Sequence, residues 1–178
     1  MRADLTKIEV DSFNDQITQT LLNLDYTSIR YIHIFLPIVK NNEPNMWPYL
    51  EELTVRHPEI QFVVSRSNLI DSSMDHFLYS STLKLVENKW GITEPETGLS
   101  IEETRIDLVL VPLLVADRIG NRVGYGKGFY DRFLAKCRID CIKIGVSFFE
   151  PISAISDVDR YDILLDKLVT PQTIYSFR

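Results

Sequence analysis

Asp107-Leu108-Val109-Leu110-Val111-Pro112-Leu113-Leu114-Val115 is followed, after a short polar break, by Gly120-Asn121-Arg122-Val123-Gly124-Tyr125-Gly126-Lys127-Gly128 and then Phe129-Tyr130-Asp131-Arg132. The apolar run predicts a buried strand over Asp107–Pro112. Tyr130, Phe133, Leu134 and Cys137 recur at helical spacing, which predicts a helix over Phe129–Arg138. Between strand and helix lie four of the chain's seven glycines. Glycine lets the backbone approach an anion and take positive φ. A helix start presents unsatisfied N–H groups and a positive dipole end. Lys127 adds a mobile charge and Arg122 a planar donor fork suited to phosphate. The segment therefore reads as a phosphate cradle, although a plain tight turn has the same spacing. It matches neither the P-loop, because Asn121 stands five before Gly126 and Gly128 follows Lys127, nor the dinucleotide fingerprint, because Phe129 takes the place of its last glycine.

Outward from this segment, helical and strand-like stretches alternate, which predicts an α/β fold. Phe13, Ile17, Leu21 and Leu24 share one face of a helix over Asp11–Leu24. Tyr31–Pro37 reads as a buried strand ended by proline, and Lys40–Asn45 as a turn-rich loop. A helix over Met46–Val55 precedes a strand over Ile60–Ser65. Asn68–Ser80 is ambiguous, Leu83–Asn88 is a strand or one helical turn, and Trp90–Pro95 reads as loop. Cys141–Phe148 and Ile163–Val169 complete the strands. A chain of 178 residues without repeats or linkers fits one domain.

Hydrophobic residues make up 45% of the chain and the net charge is −6. The acidic balance argues against general nucleic-acid binding, which wants a basic face. No apolar run approaches the roughly 20 residues that span a bilayer, so no membrane partner is expected. Cys137 and Cys141 lack ligand-spaced histidines and do not make a zinc site. They read as thiols in a reducing compartment, the cytoplasm. Asp131, in the first turn of the predicted helix, either compensates the dipole or helps hold Mg²⁺ beside bound phosphate. Asp166 could face the same site if Asp162–Asp166 is an edge strand. His33 alternates within an apolar strand and reads as core. His57 and His76 read as surface. Trp90 is either core or a stacking platform.

Taken together, Asp107–Pro112 and Asp117–Arg132 resemble the signature of the 5-formyltetrahydrofolate cyclo-ligase (methenyltetrahydrofolate synthetase) family. Trp90-Gly91-Ile92-Thr93-Glu94-Pro95 is similar to the family's Gly-Ile-x-Glu-Pro segment, and Asp162–Thr170 to its closing motif. Ile34–Pro37 with Glu43 looks like its early strand and acidic folate loop.

The resemblance implies a Rossmann-like three-layer sandwich with a mostly parallel sheet, spanning 1–178 as one monomeric cyclo-ligase domain. It implies ATP- and Mg²⁺-dependent closure of 5-formyltetrahydrofolate to 5,10-methenyltetrahydrofolate. By matched position, Arg122, Val123, Gly124, Tyr125, Gly126, Lys127, Gly128, Phe129 and Tyr130 would hold ATP, with Lys127, Arg122 and Tyr130 as the catalytic groups. Leu36, Glu43 and Trp90 would line the pterin pocket, bordered by Tyr125, Gly126, Lys127, Gly128 and Phe129. Asp131 and Asp166 would bind Mg²⁺. Phe129 stands where the family usually has tyrosine, and Tyr161 where histidine is common. The start, Met1-Arg2-Ala3-Asp4-Leu5, resembles only the end of the family's basic N-terminal helix, so weakened nucleotide binding is expected. A non-catalytic folate- or nucleotide-binding paralogue is the second reading. A different nucleotide or sugar-phosphate enzyme on a similar fold is the third.

Overall fold

The computed structural model describes residues 2–88 and 91–177. The chain runs α1 (Lys7–Leu22), β1 (Tyr31–His33), α2 (Trp47–Arg56), β2 (Gln61–Asn68), β3 (Ser73–Leu78), β4 (Leu85–Glu87) and β5 (Thr93–Pro95). It continues β6 (Leu108–Pro112), β7 (Val115–Ala116), β8 (Arg122–Val123), α3 (Phe129–Leu134), β9 (Ile142–Val146), β10 (Lys167–Val169) and β11 (Ile174–Ser176). Seven strands form one sheet in the order β11-β10-β9-β6-β1-β2-β3. The five inner strands are parallel, and β3 and β11 pair antiparallel at the edges. Strands β4–β5 and β7–β8 form two small antiparallel ribbons.

Alternation along β6 builds the three layers. Leu108 and Leu110 join Ile17, Leu21, Tyr49 and Leu53 of α1 and α2 on one face. Val109 and Val111 join Phe133 and Leu134 of α3 on the other. The expected α/β fold with a mostly parallel sheet is thus present. Helix α1 starts earlier than its apolar pattern, because Thr6 caps it and Glu9 returns the bond to the Thr6 amide. Helix α3 is shorter than expected, and the amides of Lys136 and Cys137 bond three residues back in tighter turns. Strand β1 stops at His33, well before Pro37. The ambiguous stretch before Ser80 contains β3, hydrogen-bonded to β2 from Ser73 to Leu78. Thr93–Pro95, expected as loop, pairs with β4.

Among the parallel strands, the inner order in sequence rank is 2-1-3-4-5, so the winding reverses between β1 and β6. Open α/β sheets bind ligands beyond the carboxyl ends of strands at such a switch point. The chain leaves β1 there into the loop carrying Glu43, and leaves β6 into the β7–β8 ribbon and the glycine segment.

His33 is buried, as expected, but His76 on β3 is 4% exposed, contrary to the surface reading. Alternation places both beside Phe133, with ring centroids 4.9 and 4.1 Å from it. Neither imidazole has a hydrogen-bond partner among the described residues. Desolvation lowers the His76 pKa to about 4, with Lys136 acting in the same direction and Glu103 and Asp75 opposing. The unfolded chain therefore binds more protons than the folded one between pH 6.5 and 4. Stability should fall through that window, by roughly 2–3 kcal/mol from this residue alone. His76→Leu should flatten the fall in urea titrations at pH 7 and pH 4.5.

Candidate active site

The β7–β8 ribbon rests on one buried carboxylate. Asp117 is fully buried and accepts hydrogen bonds from the amides of Ile119, Asn121 and Ile155 and from Asn121 Nδ2, at 2.8–3.1 Å. These bonds tie the turn before Arg122 to the segment after Glu150. Burial alone would raise the Asp117 pKa, yet the donors outweigh it and hold the carboxyl below the ordinary range. Beside this tie, Leu114, Val115, Val123, Phe149, Ile152 and Ile155 line a mainly apolar cavity of about 570 Å³, with Arg2 on its wall.

Arg122 enters the glycine segment with its side chain 5% exposed. Its Nη2 pairs with Asp131 Oδ1 at 2.6 Å, and Nη1 donates to the Ile163 carbonyl. The Ile163 amide also bonds Asp131 Oδ1, at 3.1 Å. Three chain segments meet at this pair. Gly126 and Gly128 take left-handed backbone, φ +79° and +67°. The segment from Val123 to Lys127 is exposed. A side chain placed at Gly124 or Gly126 would meet nothing within 4 Å, so the bare backbone faces open space. The Lys127 side chain has no hydrogen-bond or ion-pair partner among the described residues and is available to an anion.

Across the crevice, Glu43 is 6% exposed. Its Oε2 accepts from the Ile38 amide at 2.8 Å and its Oε1 from the Tyr125 hydroxyl at 2.6 Å. The acidic loop and the glycine segment therefore touch through a bond spanning 82 residues. Burial raises the Tyr125 pKa, as do the bond to Glu43 and its charge. Burial and the Glu43 charge also push Tyr130 well up, against Arg122. Both phenols stay protonated. Leu36 is buried nearby in sequence, and Phe129 packs on the core beneath α3. Trp90 lies outside the described residues.

The two acids expected to hold Mg²⁺ sit differently. Asp131 Oδ2 makes no hydrogen bond among the described residues. Asp166 lies just before β10 and not within an edge strand, since β11 takes the edge. Its Oδ2 accepts from the Lys143 amide at 2.8 Å and lies 3.1 Å from Lys143 Nζ, which is almost fully buried. Among the described residues no three metal-ligating side chains cluster. Two carboxylates are the kind of oxygen donor a hard cation takes together with waters and phosphate oxygens, and each of these is paired here with a cation, Asp131 with Arg122 and Asp166 with Lys143. Sequence reasoning missed Asp117, Lys143 and the apolar cavity. Only the Asp117-x-x-x-Asn121 spacing hinted at a side-chain-braced turn.

A doubly wound sheet whose glycine segment, with an exposed Lys127, meets the buried Glu43 through Tyr125 at the switch-point end defines an α/β protein with its candidate site beyond the carboxyl ends of the strands. The sequence profile of the 5-formyltetrahydrofolate cyclo-ligase family matches residues 1–171, and the chain belongs to that family. It is 32% identical over 111 residues to a probable 5-formyltetrahydrofolate cyclo-ligase of Schizosaccharomyces pombe, a match covering 54% of each chain. It is 24% identical over 170 residues to the 5-formyltetrahydrofolate cyclo-ligase of Mycoplasma genitalium, covering 94% of this chain and 90% of that one. Its fold matches the solved Aquifex aeolicus 5,10-methenyltetrahydrofolate synthetase with a TM-score of 0.83 at 24% identity, over 99% of this chain and 87% of that one.

Replacing Asp117 by Asn presents an amide donor to N–H groups that need an acceptor. Asp117→Asn should cost about 1.5–3 kcal/mol in denaturant unfolding. The same variant should lose the acid-limb stability that Asp117 supplies. A depressed folded pKa stabilises above the ordinary carboxylate range and is lost as pH falls through it.

Proposed function

We propose that the chain catalyses the ATP- and Mg²⁺-dependent cyclisation of 5-formyltetrahydrofolate to 5,10-methenyltetrahydrofolate, releasing ADP and phosphate. The observation that carries this reading is the 2.6 Å bond between Tyr125 and Glu43, which sets the anion-facing glycine segment against the acidic loop. Family membership supplies the substrate class.

The formyl oxygen is a poor leaving group, and phosphorylation makes it a good one. In the proposed sequence the formyl oxygen attacks the γ-phosphorus of ATP and ADP departs. The folate N10 then attacks the activated formyl carbon, phosphate leaves and the N10 proton is lost. Phosphoryl transfer asks mainly for positioning and charge neutralisation. Lys127 answers that need from an exposed, unengaged position, and the bare amides around Gly126 and Gly128 add donors. Arg122, released from Asp131, offers its fork to the phosphates. Asp131 and Asp166 would hold Mg²⁺, which would neutralise phosphate charge. The apolar cavity beside Val123 is of a kind that takes an adenine ring. Glu43, with Leu36 and Trp90, would receive the pterin, its carboxylate accepting from pterin N–H groups. Tyr130, kept neutral, serves as a hydroxyl donor. No helix among the described residues is long and apolar enough to cross a membrane, and we place the activity in the cytoplasm.

Mixing the protein with ATP, Mg²⁺ and 5-formyltetrahydrofolate should produce the absorbance of methenyltetrahydrofolate. Lys127→Met should lower kcat by about 10²–10³-fold while leaving the unfolding midpoint unchanged, since Lys127 is exposed. Tight folate binding by the wild-type chain with no turnover would favour the non-catalytic reading instead.

A further inference from the structure

The Tyr125 hydroxyl uses its whole hydrogen-bonding capacity. It donates to Glu43 Oε1 at 2.6 Å and accepts from Arg2 Nη2 at 2.9 Å and Asn41 Nδ2 at 3.3 Å, which exhausts one donor and two acceptor positions. The ring is 47% exposed while the carboxylate beneath it is 6% exposed. Tyr125 therefore covers Glu43, and an N–H donor arriving from the crevice meets the phenol first. The residue is flanked by Gly124 and Gly126, neither of which has a neighbour within 4 Å of where a Cβ would stand. No side chain therefore packs against the backbone on that side at either flank. The third member of the network reaches the other side of the site. Arg2 bonds Tyr125, receives Asn42 Nδ2 at its carbonyl oxygen at 3.0 Å, and lines the apolar cavity.

We infer that Tyr125 is a positioning residue that couples the two substrate subsites, covering Glu43 until nucleotide binding draws Arg2 away and frees the phenol to swing off the folate subsite. This rests on the functional reading above. Arg2 is the only cation bonded to the phenol among the described residues. A triphosphate beside the cavity offers that guanidinium a stronger, charge-assisted partner than a neutral hydroxyl. Losing Arg2 removes one of the bonds that hold Tyr125 in place. The pterin donors then replace the phenol on Glu43. The raised pKa of Tyr125 agrees with this arrangement, because only the neutral phenol donates to Glu43. Coupling between two ligands is reciprocal, so folate should tighten nucleotide binding by the same factor.

Calorimetry of 5-formyltetrahydrofolate binding, with and without a non-hydrolysable β,γ-imido ATP analogue and Mg²⁺, tests the inference. The wild-type chain should bind folate about 5–30-fold more tightly when the analogue is present. Tyr125→Phe keeps the ring but cannot bond Glu43. It should bind folate tightly without nucleotide and show about twofold coupling or less. Arg2→Met should lose the coupling too. Wild-type coupling retained in Tyr125→Phe, or folate weakened equally with and without nucleotide, overturns the inference alone. Absence of binding by either ligand to the wild-type chain overturns the functional reading and the inference together.

Discussion

The site is organised around the ion pair of Arg122 and Asp131. It joins the start of the glycine segment to the first turn of α3, and the Ile163 carbonyl and amide fasten both to the loop that leads to Asp166. With Arg122 almost fully buried, the pair cannot be traded for water. Removing one partner of a buried pair typically costs about 3–5 kcal/mol, because the other charge is left uncompensated. The family resemblance gives these same residues to different ligands, Arg122 to phosphate and Asp131 to the metal. Both proposed roles are compatible with one geometry. The pair holds a cation and an anion against each other, and under the proposed function a metal–nucleotide complex would bring one of each sign. Such an exchange of partners would leave no buried charge alone.

Much of this was legible in the sequence because it is local. The apolar run before Pro112, the clustered glycines and the helical spacing after Gly128 specify strand, loop and helix within one stretch of chain. The helix is shorter than its pattern because Cys137 packs on the core from a tight turn rather than from helical backbone. Placement of Glu43 against Tyr125 was legible only through the family resemblance, which put both at one pocket; it depends on β1 lying next to β6, and no local pattern encodes strand order. His76 misled for a related reason. It follows Asp75 and the polar stretch Asp71–Ser73, but β3 turns every second residue onto the layer that α3 covers. Lys143 was hidden in the same way, as a charge inside an apolar strand whose partner, Asp166, lies on the adjoining strand's approach.

The chain is acidic overall, with a net charge of −6, yet the glycine segment carries Arg122 and Lys127 and is bonded by Arg2 through Tyr125, while Lys143 pairs with Asp166. Screening limits the reach of exposed charges to about 10 Å at ordinary ionic strength. An anion inside the crevice therefore responds to these groups and little to the distant carboxylates. The cations differ in how far they are already committed. Lys143 is held by Asp166 and the Cys141 carbonyl, and Arg122 by Asp131 and Ile163. Arg2 is held by a neutral phenol, and the Lys127 ammonium by nothing among the described residues. An approaching phosphate thus meets Lys127 at no cost in broken bonds, Arg2 at the cost of one neutral bond, and Arg122 only if a cation arrives to take over Asp131. Under the proposed function metal and nucleotide would in that sense be required together, and the least expensive rearrangement would be the one that releases Tyr125 from Arg2.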